Sequence, residues 1–551
     1  MKQLRYLNLS NSFGFATFPC EWGNLTQLQV LDLHSDYQGG DVDDIQWVSH
    51  LQALKYLDMS GLNFTKYGDP MLVINILPSL SHLSLSYCGL YDFHLPTHLD
   101  LQYLDLSENS FKGPISSTIF QNMTSLEHLD LSRCFFKGPI PSIQNLTSLR
   151  HLDFSYNHFN SSVPRWFDNL RSLVNLNLED NLLQTIEGGL FSFLRSKPFL
   201  ESLSLNDNKL CEEIFSVKGS SSGLIGKNIE RLEIRNNFLQ EALPDWLVHL
   251  KNLKTLDLSI NQLHGTIPSS HSWLCLERLD LSYNELTGNI PEAFGRLSVL
   301  SFLGLSNNLL NGTIPHSLGQ LQDLYHLDLS ANSLRGIVSE IHFSNLSKLR
   351  YLDISNNNIA FEVNPDWIPP FNLESIRMMS CKFGMEFPRW IRSQVEVLRL
   401  RENMFNGSIP SQLCSLSALR ILDLAVNKLT GKIPSCLGYM ENWNRENVEQ
   451  VMKGIDLDYT TLDLQLMQCP GPEAPRVSRE DTDEEGKLER VMFYIVIMLG
   501  FVIGFWGVIG VLVYKKNWRR VYFNYMDRKT DMVYVIVVVK AAELRRRLRR
   551  A

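Results

Sequence analysis

The string LQYLDLSEN, which runs from Leu101 to Asn109, decides the fold because it recurs along most of the 551-residue chain. Most copies are 23 to 25 residues apart. The later copies begin at Leu126, Leu149, Leu173, Leu200, Ile229, Leu253, Leu276, Leu300, Leu324, Leu349, Leu373, Val395 and Leu419. Weaker copies begin at Leu4, Leu28, Leu54 and Leu80, which makes eighteen units. A fixed period of this length predicts a repeat protein, in which each unit buries its apolar face by stacking on its neighbours.

Apolar and polar residues alternate within each copy, which predicts a short strand with its leucines inside and the residues between them outside. The ninth residue is usually asparagine, whose amide is suited to satisfying the backbone groups of a buried turn. Cysteine takes that position at Cys88, Cys134 and Cys381, and we expect these thiols to be reduced and structural. Several units continue with Gly-x-Ile-Pro, where glycine permits the turn and proline ends the extended piece.

Charge is distributed unevenly along the chain. Residues 515–551 carry twelve Lys or Arg and three acidic residues, a net +9, against −17 for the remainder. Residues 491–514 contain no charged side chain and are long enough to span a bilayer, and an acidic stretch at 469–490 precedes them. The positive-inside rule therefore predicts a single-pass type I protein with its repeats outside and its tail in the cytoplasm. A buried core helix at 491–514 is the alternative.

The consensus LxxLxLSxNxLxGxIP resembles the plant-specific class of leucine-rich repeats over residues 1–436. This resemblance implies an α/β solenoid whose parallel sheet lines a concave face that binds a protein or peptide. Lys487–Tyr494, Lys515–Arg519 and Tyr534–Lys540 resemble the receptor-like proteins that include receptors for a fungal ethylene-inducing xylanase, with the Cf-type resistance proteins more distant. That likeness implies a plasma-membrane receptor that signals in defence through an adaptor receptor kinase.

The chain also departs from the pattern of that family. It opens inside a repeat, without a signal peptide or a cysteine-bearing cap. Residues 437–468 resemble the family's island segment, after which more repeats and a paired-cysteine cap are expected, but the chain passes to Cys469. We therefore expect an incomplete gene model or a degraded copy rather than a working shortened receptor.

Catalytic motifs are missing from the sequence. There is no kinase HRD or DFG, no GxSxG and no P-loop, and the tail after residue 514 is too short for a kinase domain. The histidines form no metal-ligating pair with a third ligand, and the aspartate between the strand leucines recurs as part of the repeat consensus. We therefore expect no enzymatic activity, no cofactor, no metal and no nucleic-acid partner.

Two kinds of contact are predicted from small residues and cysteines. Gly500, Gly504 and Gly507 form a stripe on one side of the apolar segment, and small residues let two helices approach closely in lipid. Family likeness assigns that stripe to packing against the adaptor kinase. Cys414 and Cys436 fall close together on successive repeats, which predicts a disulfide, with two independent core thiols as the alternative.

N-x-S/T sequons predict a glycoprotein with its repeats outside the cell, because none falls in the tail. Asn8 should point from the concave face, so we do not expect it to be used. The other predicted sites are Asn24, Asn63, Asn122, Asn145, Asn160, Asn311, Asn345 and Asn406.

A ligand-binding patch is predicted in the late repeats. The position between the strand leucines is usually aspartate, but Arg377 and Arg399 occupy it in consecutive units, and Arg401 follows two residues later. His326 and Tyr351 lie on the same face in the two preceding repeats. A basic, aromatic spot on an acidic body favours an acidic partner, and the alternative is that the arginines only neutralise the aspartates.

The leading hypothesis is an immune receptor for a microbial protein or peptide. A non-signalling decoy, a binder resembling an inhibitor of wall enzymes, and a developmental peptide receptor are the alternatives.

Overall fold

The computed structural model describes residues 3–12, 18–36, 41–92 and 100–438, except 112, 212–213, 216–225, 270–272, 385–386 and 392–394. It also gives the backbone of two strands between residues 448 and 459. The predicted segments 469–490, 491–514 and 515–551, with the glycine stripe, lie outside the described residues. Among the described residues, no helix has both the length and the apolar character that crossing a membrane requires.

One parallel sheet of eighteen strands forms the body of the repeat region. Each repeat contributes one three-residue strand, which begins two residues after the first residue of the string and pairs with the strands of the repeats before and after it. The register aligns the central apolar residues, as Leu327 with Leu352. The strands are Tyr6–Asn8, Val30–Asp32, Tyr56–Asp58, His82–Ser84, Tyr103–Asp105, His128–Asp130, His151–Asp153, Asn175–Asn177, Ser202–Ser204, Arg231–Glu233, Thr255–Asp257, Arg278–Asp280, Phe302–Gly304, His326–Asp328, Tyr351–Asp353, Ser375–Arg377, Val397–Arg399 and Ile421–Asp423. The predicted one strand per repeat is confirmed.

The opposite side of the repeats is built mainly from 3-10 helices and short second strands. The 3-10 helices are Cys20–Asn24, Gln46–His50, Arg165–Asn169, Asp245–His249, Glu292–Arg296, His316–Gln320, Glu340–Phe343, Ser411–Ser415 and Ser435–Gly438. The second strands are Lys137–Gly138, His158–Phe159, His264–Thr266, Glu285–Gly288, Leu309–Leu310, Arg335–Val338, Asn358–Phe361, Lys382–Phe383, Asn406–Gly407 and Lys428–Leu429. The two described α-helices are Met71–Ile74 and Gly189–Arg195. An outer segment of four or five residues favours the tighter 3-10 turn, so the α/β expectation is met by the parallel sheet more than by α-helices.

The inward asparagines satisfy the turns as predicted, and Asn308 shows the pattern. Its amide nitrogen donates to the carbonyl of Leu281 in the preceding repeat at 2.9 Å. It also donates to Leu305 and Ser306 of its own turn, both at 3.2 Å. The amide oxygen accepts from the backbone N–H of Leu286, again in the preceding repeat, at 3.0 Å. Each such asparagine therefore joins its own turn to the repeat before it.

Cysteine replaces this asparagine in three repeats, and all three thiols are free and buried. The Cys88 thiol donates to the carbonyl of Met59 at 3.2 Å, and the Cys134 thiol to that of Leu106 at 3.2 Å. Cys381 makes the same contact with Ile354 at 3.5 Å. Burial raises the pKa of all three thiols, which keeps them protonated. The predicted reduced, structural role is confirmed.

The residue before the asparagine adopts a left-handed backbone in most repeats. Its φ is 57° at Glu108, 56° at Ile260 and 54° at Val426. This conformation costs a residue with a side chain roughly 1–2 kcal/mol, and the crowding is worst for β-branched residues such as Ile260 and Val426. The turn is therefore held by the asparagine and the stacked repeats rather than by local preference.

The island-like segment contains an antiparallel hairpin of Val448–Met452 with Ile455–Tyr459. Its first strand lies against Ile421–Asp423, the last strand of the parallel sheet. Strand edges with unpaired backbone groups are usually covered in stable proteins. The hairpin is placed to cover the edge of the strand Ile421–Asp423.

Candidate ligand-binding face

Two rows of side chains cover the exposed face of the parallel sheet. The central residue of each strand points into the core, so the first and third residues point outward. Because all eighteen strands pair in register, equivalent residues of successive repeats lie beside one another at the strand spacing of about 4.8 Å. We call these the first-position row and the third-position row. Flat rings in consecutive strands of the first-position row are close enough to stack.

A continuous stack crosses five late strands in the first- and third-position rows, and we call Arg278, Phe302, His326, Tyr351 and Arg377 the late stack. The Arg278 guanidinium lies 3.6 Å from the centroid of the Phe302 ring. The Phe302 and His326 rings stack at 4.2 Å, and the His326 and Tyr351 rings at 4.0 Å with planes 5° apart. The Arg377 guanidinium lies 5.3 Å from the Tyr351 ring. Cation–π contacts therefore close both ends of three stacked rings.

The three predicted arginines do not form one group. Arg377 and Arg399 are direct neighbours in the third-position row, in register on adjacent strands. Arg401 lies two residues further along the chain, and its Nε is 3.6 Å from the carboxylate of Glu402. The structure thus places Arg377 with His326 and Tyr351, puts Arg399 beside it, and leaves Arg401 in a separate ion pair.

Sequence reasoning missed Arg278 and Phe302, which belong to the same stack. Both occupy the first position of their strands, the position of His326 and Tyr351. The available signal was the register itself, because counting from the start of each copy places all four residues in one row.

Burial controls the ionisation of the late stack. It lowers the pKa of His326 to about 4, with Asp328 acting in the opposite direction, so this imidazole is neutral near pH 7. It also raises the pKa of Tyr351 to about 12. Burial and then the neighbouring Asp328 raise the pKa of Asp353 to about 6, against hydrogen bonds from Ser355 and the charge of Arg377. Positive charge on this part of the face therefore comes from arginine and not from histidine.

A second stack lies in the early repeats, and we call Tyr56, His82, Tyr103 and His128 the early stack. Successive ring centroids are 4.0, 3.9 and 4.1 Å apart. The third-position row beside it carries carboxylates, and burial followed by the charges of Asp105 and Asp153 raises the pKa of Asp130 to about 7.

Asp32, His34 and Asp58 form the group in the described part of the chain whose possible metal-ligating atoms all lie within 4.8 Å of one another. Asp32 already accepts a hydrogen bond from the Asn8 amide at 2.7 Å and lies 2.8 Å from His34 Nδ1. Asp32 and Asp58 are neighbours in the third-position row, and His34 lies beside them through its contact with Asp32.

The predicted modification positions fall on both faces of the repeats. Asn8 lies in the first strand, and its amide is bonded to Asp32. Asn63 is half-buried, and its amide nitrogen donates to Asp41 at 2.6 Å. The exposed sequon asparagines are Asn24, Asn122, Asn145, Asn160, Asn311, Asn345 and Asn406. Cys414 is disulfide-bonded, while the side chain of Cys436 lies outside the described residues, so their pairing stays a prediction.

Comparison with known proteins agrees with the repeat geometry. A leucine-rich-repeat family model matches residues 141–183 and 303–359. A second leucine-rich-repeat model matches residues 100–122, 125–146, 252–274, 275–297, 348–371 and 418–440. These matches include Tyr103 and His128 of the early stack and Arg278, His326 and Tyr351 of the late stack.

Among curated proteins, the chain is similar to Receptor-like protein EIX1 of Solanum lycopersicum, with 35% identity over 79% of this chain and 42% of that protein. It is also similar to Receptor-like protein 35 of Arabidopsis thaliana, with 29% identity over 73% of this chain and 30% of that protein. The chain spans less than half the length of either relative.

Among solved structures, the chain resembles the Arabidopsis receptor kinase HAESA, crystallised with the peptide hormone IDA and the co-receptor SERK1. The identity is 26%, the TM-score is 0.62, and the likeness covers 81% of this chain and 83% of that one. The eighteen in-register strands of the chain, its inward asparagines and these relatives lead to one conclusion: the chain carries a leucine-rich-repeat region similar to that of the receptor-like proteins of plants.

Proposed function

We propose that the chain is a cell-surface receptor that binds a microbial protein or peptide on the late repeats and signals in defence through an adaptor receptor kinase. The observation that carries this proposal is the late stack, which contains two arginines and beside which Arg399 adds a third. In this proposal residues 491–514 span the plasma membrane, and Gly500, Gly504 and Gly507 pack against the adaptor's helix.

The physical properties of the late stack support a role in binding. Arginine and large aromatic residues are the commonest anchors of protein interfaces, because they bury much area and retain polar groups. The rings and guanidinium groups are held by one another before a ligand arrives, so little side-chain entropy is lost on binding. Because the rest of the chain is negatively charged, an acidic partner is attracted to this basic area rather than to other parts of the surface.

A charge reversal tests the proposal. Arg377→Glu with Arg399→Glu in the full-length chain should weaken binding to an acidic secreted fungal protein at least tenfold and reduce its salt dependence. Biolayer interferometry against a panel of such proteins, including a xylanase, measures both quantities. The matched control is Arg335→Glu, which changes an exposed arginine in one of the second strands, away from the sheet face. Unchanged affinity and salt dependence in the double variant would place the contact surface elsewhere.

The adaptor contact needs its own experiment, because a decoy would bind the same ligand without signalling. Gly500→Leu with Gly504→Leu should reduce co-purification with a receptor kinase while leaving ligand binding intact. If the glycine variant co-purifies with the kinase as well as the unaltered chain does, helix packing is not the adaptor contact.

A developmental peptide receptor is the second candidate, favoured by the likeness to HAESA in its complex with a peptide hormone. A hormone-like peptide, rather than a fungal protein, would then lose affinity in the arginine variant.

A further inference from the structure

Two positively charged side chains in adjacent strands, Arg377 and Arg399, lie side by side in the third-position row. Like charges directly opposite each other in a sheet destabilise it unless something lies between or beside them. Asp353 and Asp423 flank the pair, one on each outer side. The two arginines and the two aspartates balance in charge across these four strands, so the arginine pair is tolerated without a ligand.

Unused hydrogen-bond donors are concentrated at this point. Ser375 is 8% exposed, and its hydroxyl has no hydrogen-bond partner among the residues that the structure describes. Arg377, two residues further on the same side of the strand, has a buried Nε that likewise lacks an acceptor in the described part of the chain. Buried donors of this kind are uncommon, because each unmet one costs roughly 1–3 kcal/mol. Their occurrence beside an arginine pair indicates a place for an acceptor that comes from outside.

We infer that Ser375, Arg377 and Arg399 form a binding site for one singly charged oxyanion, a carboxylate or a sulfate monoester carried by the ligand. This inference deepens the proposed function, because it names the chemical group that the late repeats would recognise. Arg401 is outside the site, since it is paired with Glu402.

The neighbouring residues set the charge and size of that oxyanion. Tyr351 and Val397 flank Ser375 in the first-position row and form apolar walls. The carboxylates of Asp353 and Asp423, 5% and 3% exposed, lie on either side of the arginine pair. They disfavour a dianion such as a phosphate monoester, while two guanidinium groups and a hydroxyl match the two or three oxygens of a monoanion.

The test uses the purified full-length chain with sodium acetate and sodium methyl sulfate, at an ionic strength held constant with sodium chloride. Binding to the folded state raises the thermal unfolding midpoint with a saturable dependence on anion concentration. Arg377→Met should weaken the apparent affinity about tenfold, and the milder Ser375→Ala about threefold. Arg335→Gln, which removes one exposed positive charge elsewhere, should leave the affinity unchanged.

Each outcome is decisive. A response to acetate alone supports the site and assigns it to an acidic side chain or a peptide carboxyl terminus, and a response to methyl sulfate alone supports it and assigns it to a sulfated residue. No stabilisation beyond that of chloride overturns the site, as does equal weakening in Arg335→Gln. If the anions bind but charge reversal leaves fungal-protein binding intact, the site stands and the proposed function falls. If charge reversal weakens fungal-protein binding but the anions do not stabilise the folded chain, the oxyanion site is ruled out and the proposed receptor function stands.

Discussion

The early and late stacks are built on the same backbone register but differ in what stands beside their rings. In the early repeats Tyr103 is stacked between two histidines, and the adjacent third-position row is a run of carboxylates around Asp130. In the late repeats a guanidinium lies at each end of the stack. Stacked rings alone are therefore a by-product of the repeat register, whereas of the two stacks only the late one has a guanidinium group at each end.

The strongest way to break this comparison is to remove charge from the early row by Asp130→Asn. Asp130 accepts a hydrogen bond from the Ser132 backbone N–H at 2.8 Å, and an asparagine oxygen can do the same. Its pKa rises from 3.8 to about 7 on folding. A raised carboxyl pKa means that stability is present at low pH and is lost as pH rises through the folded value. The variant should gain roughly 2–4 kcal/mol at pH 8 and almost nothing near pH 4, measured by urea unfolding.

Asp353→Asn supplies the matched late position. Arg377 adjoins it on one side, and its pKa rises only to about 6. Its gain at pH 8 should therefore be smaller than that of the Asp130 variant. A larger gain at Asp353, or an equal gain for Asp130→Asn at both pH values, would mean that charge in the third-position row does not distinguish the two regions.

A smaller effect is expected from replacing one ring in each stack with leucine, which keeps most of the apolar volume. Phe302→Leu removes one ring contact and the cation–π contact with Arg278, and should cost about 1–2 kcal/mol. Tyr103→Leu removes two ring contacts but no cation, and should cost about 1 kcal/mol. If urea midpoints fall equally and high salt affects both variants alike, the guanidinium contributes nothing specific to the late stack.

The smallest effect concerns a backbone feature that both regions share. Val426→Asn places a residue tolerant of left-handed backbone at an exposed β-branched position, and should stabilise the chain by about 0.5–1 kcal/mol. Glu108→Asn, the equivalent change beside the early stack, should gain less because glutamate is not β-branched. A gain at Glu108 that matches or exceeds the gain at Val426, measured by thermal unfolding, would show that the turns of the two regions differ in more than side-chain shape.

Much of this architecture follows from local sequence, because a leucine pattern with a period near 24 residues specifies each strand and its neighbour together. Asn308 and Cys88 were predictable for the same reason, since the turn offers the same backbone groups in every repeat. The 3-10 outer segments were not, because loop length and stacking choose between 3-10 and α turns. Arg377 and Arg399 were found as exceptions to the aspartate consensus. Arg278 went unnoticed because its role comes from a ring one strand away.

The inward asparagines give the solenoid a direction. The Asn308 oxygen and nitrogen both reach back to the preceding repeat, so a repeat is completed by the asparagine of the one that follows it. The stack of repeats is therefore polar, in the sense that a repeat without a following repeat would lack these hydrogen bonds. A thiol donates a hydrogen bond to the preceding repeat but is a weak acceptor. At Cys88, Cys134 and Cys381 the junction between repeats therefore keeps the donated hydrogen bond without the accepted one. The junction at Cys381 lies between the two repeats whose strands carry Tyr351 and Ser375. Two repeats that carry the late stack are therefore joined by fewer hydrogen bonds than repeats with an asparagine at this position.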